Sequence, residues 1–292
     1  MNKQVNTLNF KNALELEHPL QVVGTSNAYH AILANQIGFN AIYLSGSGVS
    51  TASLGLPDLG LISIDDILLD VRRITEVCDL PILVDVDAGG GGALVIHRMT
   101  RMMENNGVTA IHIEDQVSSK RCGHRPGKKL VQPSEMCDRV KTCVDARNSD
   151  DFFVIARTDA LGVEGIDKAL ERATMYVSAG ADAIFAESVS DIGDYKKFKD
   201  ITGVPVLANI TEFGKTPLFS LPELREAEVD IVLYPLTAFR AASNAAYKAY
   251  DEIRSKGTQK KILNTLQTRE DTYRYINYYH YEEKLDQLFG EN

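Results

Sequence analysis

One pattern of apolar and polar positions recurs along the chain. A helix-like stretch ends at a glycine, two residues follow, and a short apolar run leads into polar residues, at 38–45, 107–114 and 180–187. Glycine suits the left-handed residue that closes a helix, and a short apolar run suits a parallel strand buried on both faces. The pattern therefore predicts helices that alternate with buried strands.

Five less regular apolar runs extend the series. They lie at 21–24, 81–87, 151–157, 204–209 and 229–235. Helical periodicity fills most intervals, as at 64–78, 133–148 and 165–179. Eight strands alternating with helices predict an α/β protein, with a parallel (β/α)8 TIM-type barrel over residues 1–256 as its catalytic domain. A doubly wound open sheet is the alternative.

The predicted strands end in polar residues, many of them acidic. In a (β/α)8 barrel the active site lies at the C-terminal ends of the strands. The residues at these ends are Tyr43 and Ser45, Asp85 and Asp87, Glu114 and Asp115, Arg157 and Asp159, Glu187, and Asn209. Crowded carboxylates raise one another's pKa unless a cation joins them. Oxygen ligands favour Mg²⁺ or Mn²⁺ over zinc, so we expect such a cation here.

A basic motif with one cysteine follows the strand that ends at Glu114. Lys120-Arg-Cys-Gly-His124 is followed by Arg125. This positive charge favours the thiolate of Cys122, so its proton should be easy to lose. Gly123 lets the backbone approach a ligand closely. A solvated basic loop with an incidental cysteine is the alternative, but a loop just beyond a strand end favours function.

The other cysteines and one histidine have simpler interpretations. Cys137 and Cys143 lie on a predicted helix, and Cys78 ends another, so packing roles are expected. No pair of cysteines has Cys-x-x-Cys spacing, so neither a disulfide framework nor a structural zinc site is expected. His112 lies inside a strand and is interpreted as a core residue.

The segment after Lys256 belongs to no strand–helix unit. Residues 273–281 carry five of the 12 tyrosines of the chain. We predict a C-terminal helical extension over residues 257–292 with an aromatic helix that needs a surface to pack on. That surface is either its own barrel or a neighbouring subunit.

Composition and charge exclude several classes of protein. The chain has 292 residues, 44% hydrophobic and 24% charged, as in globular proteins. Lys and Arg number 31 and Asp and Glu number 40, and the net charge of −9 argues against nucleic-acid binding. No apolar signal region and no run of about 18 apolar residues occurs. We therefore expect a cytoplasmic protein without a membrane partner.

Motifs spread over residues 10–289 form a set. They are Tyr43-Leu-Ser-Gly46, 53–60, Val84-Asp-Val-Asp87, Ile113-Glu-Asp-Gln116, Lys120-Arg-Cys-Gly-His124, 156–160, 207–214, Leu233-Tyr-Pro235, 267–270 and 276–279. Together they resemble the 2-methylisocitrate lyase family of the isocitrate lyase and phosphoenolpyruvate mutase superfamily. The resemblance implies a Mg²⁺-dependent carbon–carbon lyase, with Mn²⁺ as a possible substitute, that forms a homotetramer. The implied reaction cleaves 2-methylisocitrate to pyruvate and succinate in the 2-methylcitrate route of propionate catabolism.

The resemblance also implies roles for single residues in metal binding and proton transfer. The metal positions are Asp85, Asp87 and Glu114. Cys122 matches the proton donor on a mobile loop, with His124 beside it as a further catalytic position. Tyr43 is a candidate base for the substrate hydroxyl. Capping of a helix after the strand end is the structural alternative for Asp85 and Asp87.

Another set of positions matches the binding of a di- or tricarboxylate substrate. They are Ser45, Gly46, Ser47, Asp58, Cys122, Gly123, Arg157, Glu187, Asn209, Ile210, Thr211, Arg240 and Arg269. Bidentate arginines are natural partners of carboxylates. An ion pair with Glu187 at the barrel mouth is the structural alternative for Arg157.

Two positions depart from the family pattern. Residues 87–92 read Asp-Ala-Gly-Gly-Gly-Gly where the family has Asp-x-Gly-Phe-Gly, so Gly90 replaces an aromatic residue. We expect room in the substrate pocket or looseness in this loop. Ser47 stands where glycine is common.

Two alternative functions stay open. One is a superfamily lyase or hydrolase that acts on another 2-hydroxy or 2-oxo acid. The other, from a different class, is a non-catalytic barrel that binds a metabolite.

Overall fold

Eight parallel strands form a closed barrel in the computed structural model, which describes residues 8–290. The strands are β1 (Leu20–Gly24), β2 (Ala41–Leu44), β3 (Ile82–Asp85), β4 (Ala110–Glu114), β5 (Phe153–Thr158), β6 (Ala183–Ala186), β7 (Val206–Asn209) and β8 (Ile231–Tyr234). Each strand pairs with the next, and β8 pairs with β1. The predicted (β/α)8 barrel is confirmed, and the doubly wound sheet is excluded because that sheet would have two unpaired edges.

Helices surround the barrel and follow it. They are α1 (Phe10–Leu16), α2 (Ala28–Ile37), α3 (Gly46–Gly48), α4 (Ile64–Thr75), α5 (Ala93–Asn105), α6 (Pro133–Ala146), α7 (Leu161–Glu164), α8 (Ile166–Ser178), α9 (Gly193–Thr202), α10 (Leu221–Glu226), α11 (Thr237–Lys256), α12 (Arg269–Tyr275) and α13 (Tyr278–Phe289). A π-helical turn at Val49–Ser53 continues α3, and a 3-10 helix lies at Lys260–Thr265. Within residues 8–290, no helix is long and apolar enough to cross a membrane.

Helix α4 shows how the local sequence sets an element. Ser63 caps its N-terminus, because the Ser63 hydroxyl accepts from the Asp66 amide at 3.3 Å and the Asp66 carboxylate accepts from the Ser63 amide at 2.8 Å. The apolar residues that α4 buries recur at helical spacing, at Ile67, Leu68, Val71 and Ile74. The cap and the apolar face explain why the predicted helix begins at Ile64.

Two apolar clusters hold the barrel together. One fills the barrel with alternate residues of the strands, such as Phe153 and Ile155 of β5. The other lies between the strands and the outer helices. Phe10 of α1 packs on Phe153 with ring centroids 5.4 Å apart and so covers the N-terminal end of the barrel. The opposite end, where the polar strand termini lie, stays open.

The C-terminal extension differs in detail from the predicted aromatic helix. It forms two helices, α12 and α13, because Asn277 adopts a left-handed conformation with φ 56° between them. Asparagine tolerates this conformation better than most residues. The rings of Tyr273 and Tyr278 stack across the break at 4.1 Å. No residue of α11, α12 or α13 is buried, so these helices have a largely uncovered surface in the single chain.

Candidate active site

The C-terminal ends of the strands surround a cavity of about 360 Å³. Most of the site residues predicted from the sequence line it, namely Tyr43, Ser45, Ser47, Asp58, Asp85, Glu114, Cys122, Gly123, His124, Arg157, Glu187, Asn209, Thr211 and Arg240. Parallel pairing explains the convergence, because Asp85 is level with His112 of β4 and Glu114 is level with Arg157 of β5. Strand ends that are distant in sequence therefore meet at one mouth.

Four predicted residues lie outside the lining of this cavity. Gly46 lies just beneath it, where its amide donates to Asp85 Oδ2 at 3.1 Å. Asp87 contacts the Lys120 ammonium, and Ile210 is buried in the apolar cluster outside the barrel. Arg269 begins α12 and is exposed, so its contact with substrate stays a prediction.

Asp85 organises the backbone at the mouth. Its carboxylate accepts from the amides of Gly46 and Asp87, each at 3.1 Å. Burial opposes its ionisation, but the interaction with His112 and the positive charges of Lys120 and Arg157 hold the pKa of Asp85 below its usual range. The capping alternative fails for the helix that follows β3, because α5 has Gly92 at its N-cap and no side chain capping it.

The neighbouring carboxylates are crowded around one ammonium group. Lys120 Nζ lies 2.7 Å from Asp58 Oδ1 and also contacts Asp87. Burial and the charge of Asp85 raise the pKa of Asp87 to about 7. Burial also raises the pKa of Glu114, although Arg157 opposes the change. The mouth thus holds more negative charge than Lys120 alone compensates.

The donor set provides a test of the predicted metal. Among the residues that the structure describes, no three His, Cys, Asp or Glu side chains form a ready ligand cluster. However, Glu114 Oε1 is buried without a hydrogen-bond partner, and Lys120 places a positive charge on Asp87. The donors of Asp85, Asp87 and Glu114 are all carboxylate oxygens, which hard divalent cations prefer. The residues present therefore fit Mg²⁺.

Tyr43 and His112 form a buried layer beneath the carboxylates. His112 Nε2 lies 2.9 Å from the Tyr43 hydroxyl and 3.6 Å from Asp85 Oδ1. Burial lowers the pKa of His112 to about 4, so its ring is neutral beside the phenol. Burial and the charge of Asp85 raise the pKa of Tyr43 well above 10.0. The phenol thus holds its proton in this arrangement, and its role as a base stays a prediction.

Three carboxylates hold the Arg157 guanidinium at the mouth. Its Nε lies 3.0 Å from Asp159 Oδ2 and 3.4 Å from Glu114 Oε2, and its Nη2 lies 3.6 Å from Glu187 Oε1. Arg157 therefore both pairs with Glu187 and lines the cavity, so the structural alternative and the substrate contact do not exclude each other. The sequence places Asp159 at the mouth but suggests no role for it. Asp159 could have been recognised from its spacing of two residues from Arg157, because residues at this spacing lie on the same face of a strand.

The loop between β4 and α6 carries Cys122, which is exposed and lines the cavity. Its basic neighbours bind elsewhere. Lys120 contacts Asp58 and Asp87, Arg121 donates to the Pro126 carbonyl at 3.2 Å, and His124 Nε2 lies 3.1 Å from Glu187 Oε1. Two of these basic neighbours, Lys120 and His124, therefore contact carboxylates at the mouth.

The other three cysteines are buried, as predicted.

The departure at Gly90 leaves room behind its turn and not in the substrate cavity. A Cβ at Gly90, whose φ is 76°, would lie 3.2 Å from Ile64 and 3.9 Å from Val95. Ile64 and Val95 line a separate cavity of about 80 Å³. Ser47, the second departure, does line the main cavity.

The chain is similar to known enzymes over nearly its whole length. The family model of phosphoenolpyruvate phosphomutase matches residues 10–254. 2-Methylisocitrate lyase of Escherichia coli (strain K12) is 55% identical over 284 residues, which are 97% of this chain and 96% of the relative.

Two solved structures have the same fold. 2,3-Dimethylmalate lyase, a member of the PEP mutase/isocitrate lyase superfamily, aligns with a TM-score of 0.88 at 31% identity, over 96% of this chain and 94% of that one. Phosphonopyruvate hydrolase in complex with oxalate and Mg²⁺ aligns with a TM-score of 0.82 at 26% identity, over 96% and 97% of the two chains. This chain therefore belongs to the 2-methylisocitrate lyase family of enzymes, within the PEP mutase/isocitrate lyase superfamily.

Proposed function

We propose that this enzyme cleaves 2-methylisocitrate to pyruvate and succinate with bound Mg²⁺, as a step in the 2-methylcitrate route of propionate catabolism. One observation carries the proposal. A single cavity joins the carboxylates of Asp85 and Glu114, the guanidinium of Arg157 and the exposed thiol of Cys122. These groups supply metal ligands, an anion contact and a proton donor. The similarity to 2-methylisocitrate lyase along nearly the whole chain supports the choice of substrate.

The cavity offers separate donors for the carboxylates of the substrate. Ser45 and Ser47 follow β2 on one side, and on another Asn209 ends β7 and Thr211 follows it. Arg157, near the end of β5, also lines the cavity. A tricarboxylate presents several anionic groups at once, and a carboxylate bonds well to hydroxyl, amide and guanidinium donors. The lining thus suits a branched polycarboxylate better than a neutral metabolite.

Asp85, Asp87 and Glu114 would hold Mg²⁺. When bound, the cation would stabilise negative charge on the hydroxyl and carboxylate oxygens that become part of pyruvate. Mg²⁺ in the similar structure of phosphonopyruvate hydrolase supports this choice of cofactor. Mn²⁺, which also prefers oxygen ligands, is expected to substitute for it.

The reaction breaks the bond between the hydroxyl-bearing carbon and its neighbour. The hydroxyl gives its proton to a base, for which Tyr43 in its ionised form is the candidate in this cavity, as its carbon becomes the pyruvate carbonyl. The electron pair of the broken bond passes to a carbon of the succinate fragment. Cys122 Sγ donates its proton to that carbon and completes succinate. Arg157 binds a carboxylate of the substrate.

A side-by-side assay tests the substrate. We expect kcat/KM for 2-methylisocitrate to exceed that for isocitrate by about 10–200-fold, because one methyl group in an apolar pocket contributes about that much. Gly90 faces away from the cavity, so it should not reduce this margin. Each substrate, with 2,3-dimethylmalate as a third, is assayed with Mg²⁺ and with excess chelator. Equal or reversed preference, or turnover that persists in chelator, would contradict the proposal.

The uncovered C-terminal helices support a homotetramer. Tyr247 and Tyr250 of α11 are 74% and 71% exposed, and Phe289 of α13 is 78% exposed. Exposed apolar side chains that lie together are expected at a subunit interface. We expect sedimentation as a tetramer at micromolar concentration, and dissociation on Tyr247→Glu with Tyr250→Glu. Ile201→Glu, at an exposed apolar residue of α9, is the control. Sedimentation of the unmodified protein as a monomer would refute this assembly.

A cytoplasmic location and the absence of nucleic-acid and membrane partners remain predictions from the sequence.

A further inference from the structure

Ser188 has an unusual backbone and a buried side chain at the edge of the cavity. It follows Glu187 at the end of β6, is 6% exposed, and has a φ of 61°. Non-glycine residues keep this left-handed conformation only where their surroundings enforce it, and such positions concentrate at functional sites. Neither the sequence motifs nor the reaction gives this residue a role.

The Ser188 hydroxyl is directed at the loop that carries Cys122. It donates to the Gly123 carbonyl at 2.9 Å and lies 3.3 Å from His124 Nδ1. His124 Nδ1 accepts from the Lys215 amide at 3.0 Å, so this ring nitrogen is an acceptor. A hydroxyl has one hydrogen, and the shorter contact assigns it to Gly123. The bond is buried, so water does not compete for it.

Gly123 is the point where the loop touches the ion pair at the barrel mouth. A Cβ at this position would overlap Glu187 Oε1 and would lie 2.5 Å from Arg157 Nη2. The backbone here therefore rests directly on these two side chains. Cys122 just before it is exposed, and His124 just after it is half-buried. The placement of Cys122 thus depends on how its neighbour Gly123 is held.

We propose that Ser188 is a positioning residue for Cys122. Its hydroxyl holds the Gly123 carbonyl, which keeps the loop docked on Glu187 and Arg157 with the Cys122 thiol at the cavity. The contacts of His124 with Glu187 and with the Lys215 amide hold the next residue of the loop. The consequence for turnover rests on the proposed function, whereas the docking of the loop does not.

Two variants separate the hydroxyl from the strained backbone. Ser188→Ala and Ser188→Gly both remove the hydroxyl, but only glycine relieves the positive φ. Ser190→Ala removes the hydroxyl of an exposed serine two residues further on and is the control. Hydrogen exchange measured by mass spectrometry reports docking in a peptide that covers residues 118–130. Steady-state kinetics with 2-methylisocitrate and Mg²⁺ report kcat and KM, and thermal melting reports folding.

Both Ser188 variants should exchange faster in this peptide by about 2–10-fold, the range for loss of one hydrogen bond. Both should lower kcat more than they raise KM, with Mg²⁺ affinity unchanged, while Ser190→Ala matches the unmodified enzyme. Unchanged exchange in the two variants would overturn the proposal. So would unchanged kcat, or an effect confined to one variant, since that effect would belong to the backbone.

Failure of the proposed function would appear differently. The unmodified enzyme would then not turn over 2-methylisocitrate, and exchange in the loop would still decide whether Ser188 docks it.

Discussion

Replacement of Cys122 by serine is expected to lower kcat by about 10²–10⁴-fold, the usual contribution of a general acid. The serine hydroxyl has nearly the shape of the thiol but is a much weaker acid, so it would protonate the succinate carbanion poorly. Cys122 lines the cavity without anchoring the loop, since Gly123 and His124 make the docking contacts. Substrate affinity should therefore change little. Separate measurements of kcat and substrate affinity check this expectation.

Cys137→Ser is the matched control for this variant. Cys137 lies on α6, is buried, and donates to the Met175 carbonyl at 3.6 Å, away from the cavity. Its replacement should leave kcat unchanged. If Cys122→Ser instead lost affinity with kcat intact, Cys122 would only position the substrate, and the proton-donor role would be wrong.

Replacement of Asp85 by asparagine is expected to abolish most Mg²⁺ binding and turnover together. Asparagine keeps the shape of the side chain but removes its charge and one of its two carboxylate oxygens. The carboxylate of Asp85 also holds the amides of Gly46 and Asp87. Loss of an outer partner of a metal site typically costs about 10–100-fold in affinity or activity, and loss of a direct ligand should exceed that. Calorimetric Mg²⁺ titration and kcat are the measurements.

Asp182→Asn is the control variant, because it should affect folding stability and leave Mg²⁺ binding unchanged. Asp182 precedes β6 at the closed end of the barrel, where it binds Arg147 at 2.8 Å and the Val154 amide at 2.8 Å. Its replacement should lower the free energy of unfolding by about 1–3 kcal/mol, with Mg²⁺ affinity unchanged. Asp85→Asn should show the reverse pattern, a folded protein that binds Mg²⁺ poorly. Full activity of Asp85→Asn in excess chelator would contradict the metal role.

The barrel follows largely from local sequence. Apolar runs such as 107–114 are too short and too uniformly apolar for an amphipathic helix, and a glycine closes the preceding helix at Gly107. These features set where each strand begins. The convergence of the polar strand ends then follows from the architecture, because parallel strands in a closed barrel must all end on the same side. For this reason the sequence alone is enough to predict that Asp85, Glu114 and Arg157 lie together.

Protonation states and contacts at the mouth depend on the tertiary structure. Tyr43 is a candidate base by sequence, but its pKa depends on burial and on the charge of Asp85, 42 residues away. Lys120 is a neighbour of Cys122 by sequence, but its ammonium lies on Asp58 and Asp87. Such effects act over a few ångströms between distant parts of the chain, and local sequence contains no measure of those distances.

Directions of side chains also need the folded chain. The glycine at position 90 faces Ile64 behind its turn, and the hydroxyl of Ser188 faces the Gly123 carbonyl, 65 residues away. The alternation of strands and helices, the polar strand ends and the family can be predicted from the chain alone, because each depends on local pattern or on motifs. Which polar groups touch, which hold a proton and what docks the Cys122 loop follow from the folded chain, because these depend on burial and on contacts between segments far apart in sequence.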